Sequence, residues 1–152
     1  MRAELRETVD VAVPAERLWQ VVTDWPLQSE WIPFTRVRTP AGDGQGLGGR
    51  LEARTGFGPV GFLDTMVVTH WSVPAEGRRV CEVLHTGRLV RGDGGFEVEP
   101  IDATSSRFIW WESFELPLGR AGALGWRLLA PLSQAGIRRA LDRLRTLALQ
   151  RA

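Results

Sequence analysis

Apolar residues along this chain recur first at every second position, then at helical spacing, then at every second position again, and finally at helical spacing to the end. Residues 1–13 alternate, with Val9, Val11 and Val13 on one face and Thr8, Asp10 and Ala12 on the other, which predicts a strand. Leu18, Val21, Val22 and Trp25 follow at helical spacing behind Pro14, which suits a first helical turn, and Glu16, which suits its positive end. Pro26 breaks that helix, and Leu27 to Trp31 leaves room only for a short second one before Pro33. From Phe34 to Leu116 the pattern is strand and turn almost throughout, in about six strands.

Within that stretch, Ala41 to Gly49 is a glycine-rich connector followed by the alternating Arg50 to Arg54. It contains a formal GxGxxG at Gly44, Gly46 and Gly49, but a dinucleotide cradle needs a helix next, where this chain offers a strand, so a loop is expected. Phe62 to Trp71 reads as a strand apolar on both faces, and Pro74 to Gly77 turns it. Arg79 to His85 and Arg88 to Val98 then pair through Thr86-Gly87 as a two-residue turn, which places Arg88 across from His85. Gly92 to Gly95 is the competing turn; inside a strand those glycines mark a bulge or a close approach of backbone. Arg107 to Leu116 is the last strand. Gly119 to Ala152 is helical, with Leu124, Leu128 and Leu132 on one stripe, Ile137, Leu141, Leu144 and Ala148 on another, and a kink expected at Pro131 between them. Leu124, Leu128, Ile137, Leu141 and Leu144 are expected to face the sheet, because an antiparallel sheet buries one face only if something covers it.

Size and charge narrow the function classes. The chain's 152 residues suffice for one domain, 1–152, with a core of its own, and 43% hydrophobic with 24% charged residues is a globular composition. A net charge of +1 gives no reason to expect nucleic acid or an anionic membrane as partner. One cysteine, Cys81, excludes an internal disulfide, and no stretch has the length and apolarity of a signal peptide or a membrane span, so cytoplasm is the expected location. All 19 basic residues are Arg, and Lys, Asn and Tyr are absent, a bias of GC-rich coding that removes Lys and Tyr as catalytic candidates. The seven tryptophans are scattered over helices and strands without a basic stripe, which suits core and pocket wall rather than a stacking platform for single strands.

Candidate chemistry comes from polar residues that alternation sets among apolar neighbours. Asp64 shares a face with Phe62, Met66 and Val68; His85 with Cys81 and Val83; Arg88 with Val90; Glu112 with Phe108, Trp110 and Phe114. Isolated buried charges are costly, so these groups are expected to satisfy one another. Two readings stay open: His85 is a satisfied core or turn histidine with carboxylates that merely pair with arginine, or His85 with Asp64 or Glu112 works as acid and base. His70, near a turn, reads as a surface or rim residue. The histidines and lone cysteine lack zinc-ligand spacing, and neither a GxSxG elbow nor a Walker sequence occurs, so no metal and no cofactor is expected.

The stretch Val-Pro-Ala-Glu-Arg-Leu-Trp-Gln-Val-Val-Thr-Asp-Trp (13–25) resembles the opening of the polyketide cyclase/dehydrase branch of the START-like, or SRPBCC, helix-grip superfamily. Trp31-Ile32-Pro33, Glu99-Pro100, Ser106 to Trp110 and Leu116 to Gly119 are similar to its second short helix, last hairpin and entry to the final helix. The resemblance implies an α+β helix-grip fold: a seven-stranded antiparallel sheet wrapped around a long C-terminal helix, with two short helices between strands one and two. It also implies a deep apolar cavity between sheet and C-terminal helix. Members include polyketide aromatase/cyclases, lipid and sterol carriers and quinone-binding proteins, with no shared catalytic motif to carry over.

The leading expectation is therefore a bacterial protein, monomer or homodimer, that binds a hydrophobic small molecule such as a lipid, polyketide or quinone. The expected wall is Trp25, Trp31, Phe34, Phe57, Met66, Val68, Val83, Arg88, Val90, Phe96 and Trp110. The alternative is a cofactor-independent cyclase, aromatase or dehydratase using His85 with Asp64 or Glu112. Polar groups converging on one point of the pocket favour the enzyme, and polar groups confined to its rim favour the carrier.

Overall fold

The computed structural model describes residues 1–151. The chain runs β1 (Arg2–Val11), α1 (Ala15–Val22), α2 (Gln28–Trp31), β2 (Thr35–Arg38), β3 (Arg50–Phe57), β4 (Val60–Ser72), β5 (Arg79–Thr86), β6 (Arg91–Pro100), β7 (Ser106–Glu115) and α3 (Gly119–Gln150). Ala152, expected to end the last helix, lies outside the described residues. All pairings are antiparallel, in one curled seven-stranded sheet of order β1-β7-β6-β5-β4-β3-β2. This is the helix-grip α+β arrangement, with two short helices between the first two strands.

Local chemistry explains the elements. Pro14 holds an extended φ of −58° and ψ of 149° just before α1, and α1 buries Leu18, Trp19, Val21 and Val22 on one side. Thr23 ends the helix, its hydroxyl donating to the Trp19 carbonyl at 2.7 Å. Four residues of α2 then deliver Trp31 into the core, fully buried edge-on to Phe108 and Trp110, with ring centroids 5.9 Å away in each case. The inward residues of β1 (Ala3, Leu5, Val11) and β7 (Phe108) continue this core, and α3 closes it with Ala140, Leu141, Leu144 and Ala148.

Three expectations need correction. The turn between β5 and β6 is not Thr86-Gly87: Thr86 still pairs with Arg91, and residues 87–90 make the connection. Arg88 consequently sits exposed in that turn, and Gly92, not Arg88, lies across from His85. Gly92 to Gly95 lie inside β6, as the reading of Arg88 to Val98 as one strand expects.

Second, Leu124 and Leu128 do not face the sheet. They are 62% and 77% exposed, and Leu132 is likewise exposed, whereas Leu141 and Leu144 are buried and Ile137 packs partly buried on the core. At about 100° per residue the 124/128/132 stripe and the 137/141/144 stripe lie on roughly opposite sides of one straight helix. Only a break could have aimed both inward. Third, α3 is not split at Pro131: it is one helix from Gly119 to Gln150. Its first half touches the sheet through Trp126, whose ring lies 6.1 Å from that of Phe114.

Candidate functional site

The concave face of β4 to β7 carries the chemistry. Asp64 and Met66 on β4 point the same way, and Met66 pairs with His85 on β5, so Asp64 is the diagonal neighbour of the imidazole. His85 Nδ1 lies 2.8 Å from Asp64 Oδ2 and 3.1 Å from Oδ1. Glu112 is on β7, which does not adjoin β5: β6 runs between them, so the two backbones stand roughly 10 Å apart. The gap closes because β6 is bare there. His85 pairs with Gly92 and Glu112 pairs with Gly94, so no β6 side chain stands between them. The two side chains reach across the glycines, and His85 Nε2 meets Glu112 Oε2 at 2.9 Å. A methyl at Gly94 would run into Glu112 Oε2 and come 3.0 Å from His85 Nε2. Glycine at 94 is therefore part of the site's construction.

Trp110 completes the chain of bonds, its indole N–H donating to Glu112 Oε1 at 2.8 Å. His85 and Asp64 are 6% and 9% exposed, and the Glu112 side chain 12%, so the cluster is close to fully withdrawn from solvent. Burial opposes charge on the imidazole, but the hydrogen bonds and negative charges of Asp64 and Glu112 outweigh it and raise the His85 pKa to about 10. His85 is thus held as an imidazolium near neutral pH. Burial, with a smaller contribution from Glu82, pushes the nearby Cys81 thiol up to about 12, which keeps it protonated and inert.

These groups form one end of a cavity of about 260 Å³. Its wall is otherwise mostly apolar: Ile32 and Trp25 from the helical side, Val37, Leu51, Ala53, Phe62, Met66, Val83, Val90, Phe96, Trp110 and Phe114 from β2 to β7 and their turns. Gln28, Thr35 and Thr55 bond within the protein, whereas the buried indole N–H of Trp25 has no hydrogen-bond partner among the described residues. Gln28 donates to the Val22 carbonyl at 3.2 Å, and the Thr35 and Thr55 hydroxyls bond each other at 3.0 Å. No described residue of α3 lines the cavity, so it lies between the sheet and the α1–α2 region rather than between the sheet and the C-terminal helix. The reason is the exposed first half of α3.

Of the residues expected on the wall, the structure places Trp25, Met66, Val83, Val90, Phe96 and Trp110 there, together with Asp64, His85 and Glu112. Five expected wall residues lie elsewhere. Trp31 and Val68 are 0% and 1% exposed and belong to the solid core. Phe34, with a left-handed φ of 56°, turns outward before β2 begins, and Phe57 ends β3 at a hairpin tip; the two rings pack on each other in solvent, centroids 6.0 Å apart. Arg88 is exposed in the 87–90 turn. His70 is exposed, next to a register shift between Val68 and His70. The glycine-rich loop leads into β3, and Gly44, at φ +69°, backs onto the Trp25 ring away from the wall.

Sequence reasoning missed Gln28, Ile32 and Leu51 as wall residues, and the bridging role of Gly92 and Gly94. The glycine run was the available signal: two glycines at alternate positions of a strand leave one face empty. Phe62 and Phe114 were also within reach, since they share faces with Asp64 and Glu112.

Comparison with known proteins adds the following. Residues 2–148 match the family model described as polyketide cyclase / dehydrase and lipid transport. Among solved structures, the chain is similar to the ZhuI aromatase/cyclase from Streptomyces sp. R1128, at 18% identity and a TM-score of 0.75, covering 99% of this chain and 96% of that one. A protein from Thermus thermophilus is similar at 17% identity and a TM-score of 0.75, covering 99% of both chains. Norcoclaurine synthase from Thalictrum flavum, in complex with dopamine and hydroxybenzaldehyde, is similar at 18% identity and a TM-score of 0.65, covering 100% of this chain and 89% of that one. At these identities the likeness is one of fold. No curated protein matches the chain in sequence.

Proposed function

The chain belongs to the polyketide cyclase/dehydrase and lipid-transport family, and from that premise we propose that it binds one hydrophobic, ring-containing small molecule in the cavity beneath Trp25 and Ile32. The observation that carries this reading is a mostly apolar cavity of about 260 Å³ with one buried ionisable cluster, Asp64–His85–Glu112. Ligand sites combine an apolar wall with a few placed polar groups, and this volume falls just below the usual range of ~300–1,000 Å³. It exceeds the roughly 150 Å³ of an engineered cavity that takes up benzene, so a compact aromatic skeleton fits better than a long acyl chain.

Titration of the protein with a naphthalene-core probe, followed by tryptophan fluorescence, tests the proposal, because Trp25 and Trp110 stand on the wall. Saturation at one probe per chain is expected in the wild type. Val83→Phe, which fills the cavity from β5, should weaken the probe's binding by about tenfold or more. A wild type with no saturable response would overturn the proposal.

A second reading, a cofactor-independent cyclase or dehydratase, is favoured by one observation: the cavity's ionisable groups converge on one point rather than lining its rim. In that reading His85, held as imidazolium, is not the base. A carboxylate oxygen of Asp64 or Glu112 takes the proton from the substrate, and His85 stabilises the charge arrangement around it. Turnover falling about a hundredfold in Glu112→Gln, with ligand affinity nearly kept, would support it; unchanged turnover in both Glu112→Gln and Asp64→Asn would remove it.

A further inference from the structure

The hydrogen bonds of the Asp64–His85–Glu112 cluster restrict what a ligand can present to it. The imidazole of His85 has two ring nitrogens, and each faces a carboxylate, at 2.8 Å from Asp64 and 2.9 Å from Glu112. Both ring hydrogens are consumed. The Trp110 indole N–H is consumed as well, by the second oxygen of Glu112. What remains toward the cavity is acceptor capacity, since each ionised carboxylate offers about four lone-pair sites and only some are used.

Charge points the same way. Two carboxyl groups and one imidazole that share two protons carry a net charge of −1 wherever those protons sit. No arginine forms an ion pair with Asp64 or Glu112 among the described residues, and Arg88 in the adjoining turn and Arg91 at the start of β6 are exposed. Thr35 and one N–H of Gln28 donate to the protein's own carbonyl oxygens, and the unpartnered Trp25 indole N–H lies beside Gly44. An anionic ligand end would meet, at this cluster, a negative charge whose own donors are spent, whereas a hydroxyl or ammonium would meet free lone pairs.

We infer that the cavity selects an aromatic molecule whose inward end is a hydrogen-bond donor, a phenolic or alcoholic hydroxyl or an ammonium group, and rejects the same skeleton ending in a carboxylate. This rests on the binding reading above and adds the ligand's polar chemistry to it. A carboxylate-tailed fatty acid is disfavoured at that cluster for the same reason. Selectivity resides in Asp64 and Glu112, with His85 holding both of them in place.

The experiment compares 2-naphthol, 2-naphthylmethylamine and 2-naphthoate near neutral pH, with naphthalene as the control lacking any polar end. Binding is read by tryptophan fluorescence for the wild type, Glu112→Gln and Asp64→Asn. Naphthol and the ammonium probe should bind wild type at least about tenfold more tightly than naphthoate. At least one of the two variants, each of which removes a charge while keeping the shape, should shrink that ratio to about threefold or less. Naphthoate binding as tightly as naphthol would overturn the inference while leaving the binding proposal standing. A ratio unchanged in both variants, with circular dichroism matching wild type, would place the selectivity elsewhere and overturn it too. Failure of all four probes, naphthalene included, would instead overturn the binding proposal on which it rests.

Discussion

Replacing His85 by Gln should cost several kcal/mol near neutral pH, and most of that cost should vanish as the pH approaches 10. The His85 pKa is raised from 6.5 to about 10 by its two carboxylate partners, acting against burial. Between those values the folded protein holds a proton that the unfolded chain has released, so the unfolded state binds fewer protons and stability falls as pH rises. The contribution is fully present below about pH 6.5 and is lost through the folded pKa. At roughly 1.4 kcal/mol per pH unit the window amounts to on the order of 3–5 kcal/mol. This agrees in size with the ~3–5 kcal/mol cost of removing one partner from a buried ion pair. Gln can donate to one carboxylate through its amide but cannot offset both charges.

Urea unfolding of wild type and His85→Gln, at pH values from about 6 to about 10, measures the gap between the two proteins. The difference matters more than either curve alone, because Cys81 also titrates. Its thiol is pushed from 9.0 to about 12 in the folded state, so the unfolded state loses that proton first and is favoured above about pH 9. That contribution is common to both proteins and cancels. A gap that stays constant from pH 6 to 10, or widens, would refute the doubly bonded imidazolium.

Other outcomes follow from the same geometry. Gly94→Ala should force Glu112 away from His85, costing about 1–3 kcal/mol, and the imidazole pKa followed by NMR should drop from about 10; an unchanged pKa would mean that Glu112 needs no bare strand beside it. Leu141→Asp should cost several kcal/mol in urea unfolding because Leu141 is 3% exposed, whereas Leu124→Asp, at a position 62% exposed, should stay within about 0.5 kcal/mol; similar costs at both would contradict the placement of α3.

Alternation and capping chemistry carried much of the architecture. The two short helices were legible from Pro14, Pro26 and the spacing of Leu18, Val21 and Val22, and α3 from its apolar repeats. The rest escaped for physical reasons. Thr86-Gly87 has good hairpin chemistry, but β5 keeps its ladder through Thr86, so the turn slides to residues 87–90 and takes Arg88 with it. Two apolar stripes in α3 invited a break at Pro131 that would turn both inward, yet the helix is continuous and leaves one stripe in water.

At the site, the faces of Asp64, His85 and Glu112 could be read from alternation, because side-chain direction has period two. Their meeting could not, since it depends on strand order and on Gly92 and Gly94 emptying the strand between. Nor does alternation separate cavity wall from solid core: Met66 and Val68 share a face of β4, but only Met66 borders the cavity.

Whether the cavity is the functional site can be asked by native mass spectrometry of the protein purified from its own host, run beside Val83→Phe from the same host. One small aromatic molecule per wild-type chain is expected, released on denaturation, and it should be lost from the variant, since Val83 stands on the cavity wall. A variant that retains the same molecule at the same occupancy would contradict binding in this cavity, and the cavity's role as the functional site would fall with it.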